Sequence, residues 1–172
     1  MEETPTGGYW VAGRSADLLA DALTEATLVS AGVAPDLVDS ARLILSELAL
    51  ITLFTGRPPA AELRAFLSGR PGLPLATSTI GIVETVRQLD KAGAFPGALS
   101  DLDGMVTEIL LTEEVRDLAT RVSGALRSLD TLHVASALVV GEALDSLITY
   151  DKRMLEAARE EGLPAHAPGM AE

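Results

Sequence analysis

From Arg42 onward the apolar residues fall into two alternating textures: short continuous runs, and longer stretches in which they recur every three or four positions. The first texture suits strands covered on both faces, and the second suits helices with one buried stripe. Residues 43–45, Leu-Ile-Leu, predict a buried strand, and residues 58–68 a helix with proline in its first turn and Leu63, Phe66 and Leu67 on one side. After the Pro71-Gly72 turn, residues 73–76 predict a second strand, and Ser78 caps a helix that runs to Lys91 and stops at Gly93. Residues 96–106 read as helical and 108–111 as a third strand, and Thr112 opens a helix carrying Val115, Leu118, Ala119 and Val122. Beyond Ser123-Gly124 come an apolar helix at 129–140, a strand at 146–150, an amphipathic helix at 151–161 and a short edge strand at 165–167. This alternation predicts an α/β fold with a central parallel sheet of four to five strands between two helical layers. Ligands of such sheets bind beyond the carboxyl ends of the strands, which directs attention to the residues just after each strand.

Residues 1–40 have another texture. They hold seven acidic residues and the single Arg14, a net charge of −6, half of the −12 carried by the whole chain. Ser15 is a cap for a helix over residues 16–29, where Leu18, Leu19, Ala22, Leu23 and Ala26 recur at helical spacing; Gly32 stops it and Pro35 turns the chain. The chain is therefore expected to divide into an acidic, helical N-terminal extension, residues 1–40, and one domain, residues 41–172.

Composition narrows the chemistry. With no cysteine and two histidines among 172 residues, disulfides, thiolate metal sites and histidine-rich zinc cages are excluded, so a metal site has to be built from carboxylates. The start lacks a secretory pattern, and the apolar run at 43–54 is broken by Glu47 and too short to span a bilayer, so a cytoplasmic protein with no membrane segment is expected. A charge of −12 opposes a broad nucleic-acid footprint; RNA binding would need metal neutralisation and a local rim of Arg or Lys, while an acidic surface suits a basic partner segment.

Three carboxylates stand where a sheet-edge site would form. Asp151 follows the strand ending in Tyr150, where it can either cap the next helix or bind a ligand. Asp130 opens an apolar helix under the same alternatives, with Ser128 as another cap. Glu84 lies in Ile80-Gly81-Ile82-Val83-Glu84-Thr85-Val86, where a lone buried carboxylate costs several kcal/mol unless paired or metal-bound; an ion pair with Arg87 or a hydrogen bond to Gln88 would also answer it.

Two phrases taken together are specific. Leu126-Arg127-Ser128-Leu129-Asp130-Thr131-Leu132-His133-Val134-Ala135-Ser136-Ala137, followed by Leu147-Ile148-Thr149-Tyr150-Asp151-Lys152-Arg153-Met154, resembles the closing signature of VapC-type PIN domains, and Thr77-Ser78 with Glu84 and Arg87 resembles the family's second motif. The resemblance covers residues 41–169. It implies the three-layer PIN fold, a Mg2+- or Mn2+-dependent endoribonuclease acting as the toxin of a toxin-antitoxin pair, and a cognate antitoxin and a second copy of the chain as partners. It also implies Glu84, Asp130 and Asp151 as metal ligands and catalytic residues, and Arg87 as a substrate contact. Hard divalent ions take oxygen ligands and can activate water for attack on phosphorus, which is why carboxylates recur in this chemistry.

One position departs from the family pattern. Where its first motif places an Asp after the first strand, Leu43-Ile44-Leu45-Ser46-Glu47 has Ser46, a neutral and weaker ligand. Glu47 can compensate only if the backbone turns sharply after Leu45, since in a regular strand it would face the other way. Alternatively Ser46 and Glu47 form a helix start, or the chain is a degenerate PIN-fold binding module without nuclease activity. A phosphohydrolase with another substrate would draw on the same carboxylates. Asp101-Leu102-Asp103-Gly104 lacks the remaining ligands of a calcium loop and reads as a capped turn, His133 as a hydrogen-bonded helix histidine, and Lys152 and Arg153 as further cations for phosphates.

Overall fold

The computed structural model describes residues 42–93 and 95–171. The helix expected over residues 16–29 lies outside the described residues. In chain order the elements are β1 (Arg42–Leu45), α1 (Glu47–Thr55), α2 (Ala60–Ser68), β2 (Leu75–Ser78), α3 (Thr79–Ala92), α4 (Ala98–Met105), β3 (Thr107–Ile109), α5 (Glu113–Ala119), α6 (Ser128–Val140), β4 (Leu144–Ile148), α7 (Lys152–Glu160) and β5 (Ala165–His166). The strands form one parallel sheet in the order β3-β2-β1-β4-β5, so the chain steps outward to one edge and then crosses to the other side of β1. That reversal makes the carboxyl ends of β1 and its neighbours the place where a crevice opens.

Alternation along β1 divides the core. Ile44 faces a cluster with Val134 and Ala137 of α6 and Met154 and Leu155 of α7. Leu43 and Leu45 face the opposite layer, with Ala49 and Leu50 of α1, Leu63 of α2 and Leu102 of α4. Leu147 and Ile148 in β4 repeat the division. Each central strand is therefore apolar at successive positions because both of its faces are covered. Val115 and Ala119 of α5 pack on Ala135 of α6 in a smaller satellite cluster.

Among the described residues the elements assigned from sequence all recur with their types; α1 (Glu47–Thr55) answers only to the alternative reading of Ser46 and Glu47 as a helix start, and several boundaries differ for local reasons. Strand β2 starts two residues later than expected because Pro74 has no N–H to give, although its carbonyl accepts from Leu43 N at 3.0 Å. Strand β3 ends at Ile109, leaving Leu110 and Leu111 exposed. Strand β4 runs over Leu144–Ile148, and Thr149 leaves the ladder with its N–H still donated to His166 O at 3.1 Å. Asp101-Leu102-Asp103-Gly104 lies within α4 and forms no turn.

Candidate active site

Strand β1 ends abruptly. Ser46 keeps an extended backbone (φ −68°, ψ 168°), its N–H is donated to Ile148 O at 2.9 Å, and α1 begins at the next residue. The helix start turns Glu47 out of the strand alternation, which is the sharp turn its participation requires. Ser46 thus occupies the cap position without a side-chain cap bond, and its buried Oγ has no hydrogen-bond partner.

At the end of β2, Thr77 Oγ1 donates to Leu45 O at 2.7 Å, tying the two strand ends together. Ser78 Oγ accepts from Gly81 N at 3.0 Å and so caps α3, which carries Glu84 one turn further on. A side chain at Gly81 would collide with Thr77 Oγ1 and come within 3.5 Å of His133 Cε1, so glycine is what lets α3 start this close to the strand ends and to α6.

His133, on α6 and 3% exposed, joins these elements. Its Nδ1 lies 3.0 Å from Ser78 Oγ, and its Nε2 lies 3.0 Å from Glu84 Oε2 and 3.4 Å from Glu47 Oε2. The last contact satisfies no hydrogen bond, so Glu47 Oε2 is a buried oxygen without a hydrogen-bond partner. Burial raises the Glu47 pKa above its ordinary 4.5; His133 opposes the rise, and the charges of Glu84 and Asp130 add to it. Glu47, Glu84 and His133 each bring one ligand atom within 4.8 Å of the others, close enough for one divalent cation to be held among them. A donor set of two carboxylates and an imidazole, with one oxygen desolvated and unsatisfied, fits such an ion.

Of the residues expected from sequence, Glu84 is in this group, while Asp130 and Asp151 lie outside it. Asp130, in the first turn of α6, accepts from Arg127 N at 3.2 Å through Oδ2, so the helix start is fastened by Asp130 and not by Ser128. Asp151 caps α7, its Oδ1 accepting from Arg153 N at 2.8 Å and Met154 N at 3.0 Å. It follows β4, which is paired directly to β1 through Leu45 and Ile148. Arg87 is exposed on α3, three residues beyond Glu84, and Glu84 turns to His133. Glu47 and His133 are the two members of the group that sequence reasoning left outside the ligand set. The available signals were a serine cap immediately after an apolar strand, and the three-residue step from Asp130 to His133 along one helix face.

Known proteins match this chain in sequence and in fold. The PIN domain family model matches residues 48–160. Ribonuclease VapC47 of Mycobacterium tuberculosis is 40% identical, with 70% of this chain and 93% of that protein covered; Ribonuclease VapC35 of the same species is 33% identical over 72% and 94%. Among solved structures, VapBC2 from Rickettsia felis, bound to a DNA fragment from its promoter, superposes with a TM-score of 0.56 at 14% identity, covering 73% of this chain and 97% of that one. FitAcB from Neisseria gonorrhoeae gives 0.54 at 16% identity, with 73% and 97% covered. A parallel sheet of order β3-β2-β1-β4-β5, acids gathered at its carboxyl edge and this degree of relatedness place the chain in the PIN-domain family, alongside the VapC ribonucleases.

Proposed function

We propose that the protein is a metal-dependent endoribonuclease, the toxin of a toxin-antitoxin pair, that hydrolyses RNA phosphodiester bonds at the carboxyl edge of β1, β2 and β4. The observation that carries this reading is the convergence of Glu47, Glu84 and His133 there, in a chain 40% identical to a VapC ribonuclease. Glu84, Asp130 and Asp151 are the metal ligands and catalytic carboxylates of this reading. The charge of Asp130 is already felt at Glu47, and Asp151 stands three residues past the β1–β4 pairing. A Mg2+ or Mn2+ ion bound among them would supply a Lewis acid for the scissile phosphate and lower the pKa of an attacking water.

The chain's own groups set the rest. Desolvation at Glu47 and the buried imidazole of His133 make charges on that side of the site act at greater strength than at an open surface, while Glu84, its side chain 30% exposed, faces solvent on the other. Arg87, exposed on the next turn from Glu84, would hold a phosphate of the RNA, a role its exposure supports. Leu48, Val83 and Leu129 are exposed apolar residues, and each is the sequence neighbour of Glu47, Glu84 or Asp130. Apolar groups beside an acidic centre suit an antitoxin segment that pairs apolar side chains with a basic one, and the VapBC and FitAB assemblies among the structural neighbours support such a partner. A homodimer completes the proposed assembly.

A second reading rests on Ser46: lacking an acid at this position, the chain would be a PIN-fold binding module without nuclease activity. The deciding experiment is Mn2+-dependent cleavage of a mixed RNA pool by the natural protein, Ser46→Asp and Asp130→Asn. Cleavage by the natural protein and its loss in Asp130→Asn support the nuclease. Cleavage by Ser46→Asp alone makes the natural protein a disabled nuclease, and its function must then be sought in binding.

A further inference from the structure

Two of the groups gathered at the sheet edge, Glu47 and His133, are not among the acidic positions that the family resemblance supplies. Their spacing about His133 Nε2 matches that of neighbouring ligands on one ion, as well as that of a hydrogen bond. Two donor atoms bound at about 2.1 Å on adjacent octahedral positions of one ion stand about 3 Å apart. His133 Nε2 is 3.0 Å from Glu84 Oε2 and 3.4 Å from Glu47 Oε2. The far nitrogen is held as a ligating imidazole requires: Ser78 Oγ, fixed by the Gly81 N–H it accepts, lies 3.0 Å from Nδ1 and can accept the hydrogen bond of Nδ1–H, leaving the Nε2 lone pair for an ion. The unpartnered Glu47 Oε2 and the buried, unpartnered Ser46 Oγ beside it in sequence are two polar atoms that protein groups leave unsatisfied.

We propose that Glu47 and His133 ligate the ion together with Glu84, so that the position vacated by acid at Ser46 is made good by a nitrogen-containing site that takes Mn2+ in preference to Mg2+. The inference rests on the reading that this sheet edge holds the divalent ion of a nuclease. The selectivity follows from the donors: Mg2+ holds to oxygen ligands and gives up water reluctantly, whereas a first-row transition ion accepts imidazole. An all-carboxylate site would discriminate less.

The test uses the full chain loaded with Mn2+, with electron spin echo spectroscopy to detect nitrogen coupled to the ion and calorimetry to compare Mn2+ with Mg2+. The expected result is a nitrogen coupling and a Mn2+ affinity at least about ten-fold above that for Mg2+. The coupling should vanish in His133→Asn and persist in His166→Asn, which alters the other of the two histidines. Glu47→Gln, which preserves side-chain size, should weaken Mn2+ binding while the coupling of the residual bound ion remains. Mn2+ bound by the natural protein without nitrogen coupling overturns the proposal, whatever the variants do, and assigns His133 to hydrogen bonding alone. Nitrogen coupling with no RNA cleavage supports this site and overturns the nuclease reading. Cleavage with Mg2+ and no coupling overturns this site and supports the nuclease, and failure to bind either ion overturns both.

Discussion

Glu47 carries a conflict that a purely structural residue would not sustain. Its carboxylate is largely buried, its Oε2 has no hydrogen bond, and desolvation raises its pKa despite the opposing influence of His133. A raised carboxyl pKa means that ionisation is unfavourable in the fold: the cost is fully present above the folded pKa and disappears as pH falls through it towards the unfolded value of 4.5. In metal-free protein, Glu47→Gln is therefore expected to raise stability by about 1 kcal/mol near neutral pH, with the gain fading as the medium is acidified below the folded pKa. Thermal denaturation of both proteins across that range checks it, and equal stability at neutral pH would remove the conflict. The sequence exposed the absence of an acid at Ser46 and raised Glu47 as a substitute. It could not decide between them, because the direction of Glu47 depends on whether the helix begins one residue after the strand.

At the scale of elements, α3 is the part that joins folding to the site. Ser78 has two tasks: it caps α3 through Gly81 N and meets Nδ1 of His133. Thr112 has only the first, accepting from Val115 N at 3.3 Å to cap α5. Ser78→Ala and Thr112→Ala should thus each lose about 1 kcal/mol of stability, but only Ser78→Ala should weaken Mn2+ binding, by roughly 10- to 100-fold. Chemical denaturation and calorimetry on the two variants separate the roles; equal metal affinity in both would detach Ser78 from the site. Helix starts of this kind were readable because capping residues followed by helical periodicity are local signals, as Ser78, Thr112 and Asp151 show. The approach of α3 to α6 was not, since the contact between Ser78 and His133 spans 55 residues and depends on Gly81 leaving space.

On the scale of the whole molecule, the alternation of apolar runs and helical periodicity was enough for a parallel, two-sided sheet, because residues covered on both faces leave no polar alternation to misread. The motifs resembling the family's closing signature located Asp130 and Asp151 at helix starts, and the phrase around Glu84 located the third acid. What periodicity could not supply was the strand order, which brings the ends of β1 and β2 beside α6 and assembles Glu47, Glu84 and His133 from positions far apart in sequence. Among the described residues no helix is long and apolar enough to cross a membrane. With a chain charge of −12, the proposed nuclease would need a divalent ion and local cations such as Arg87 to offset the phosphates of RNA, so the proposed metal centre is the point to test.

The most direct test of that centre is a crystal structure of the full chain soaked in Mn2+, read by anomalous scattering. A single strong peak is expected at the carboxyl edge of β1 and β2, about 2.2 Å from carboxylate oxygens of Glu47 and Glu84. A well-ordered structure with no peak there, or with Mn2+ held elsewhere on the molecule, would contradict it.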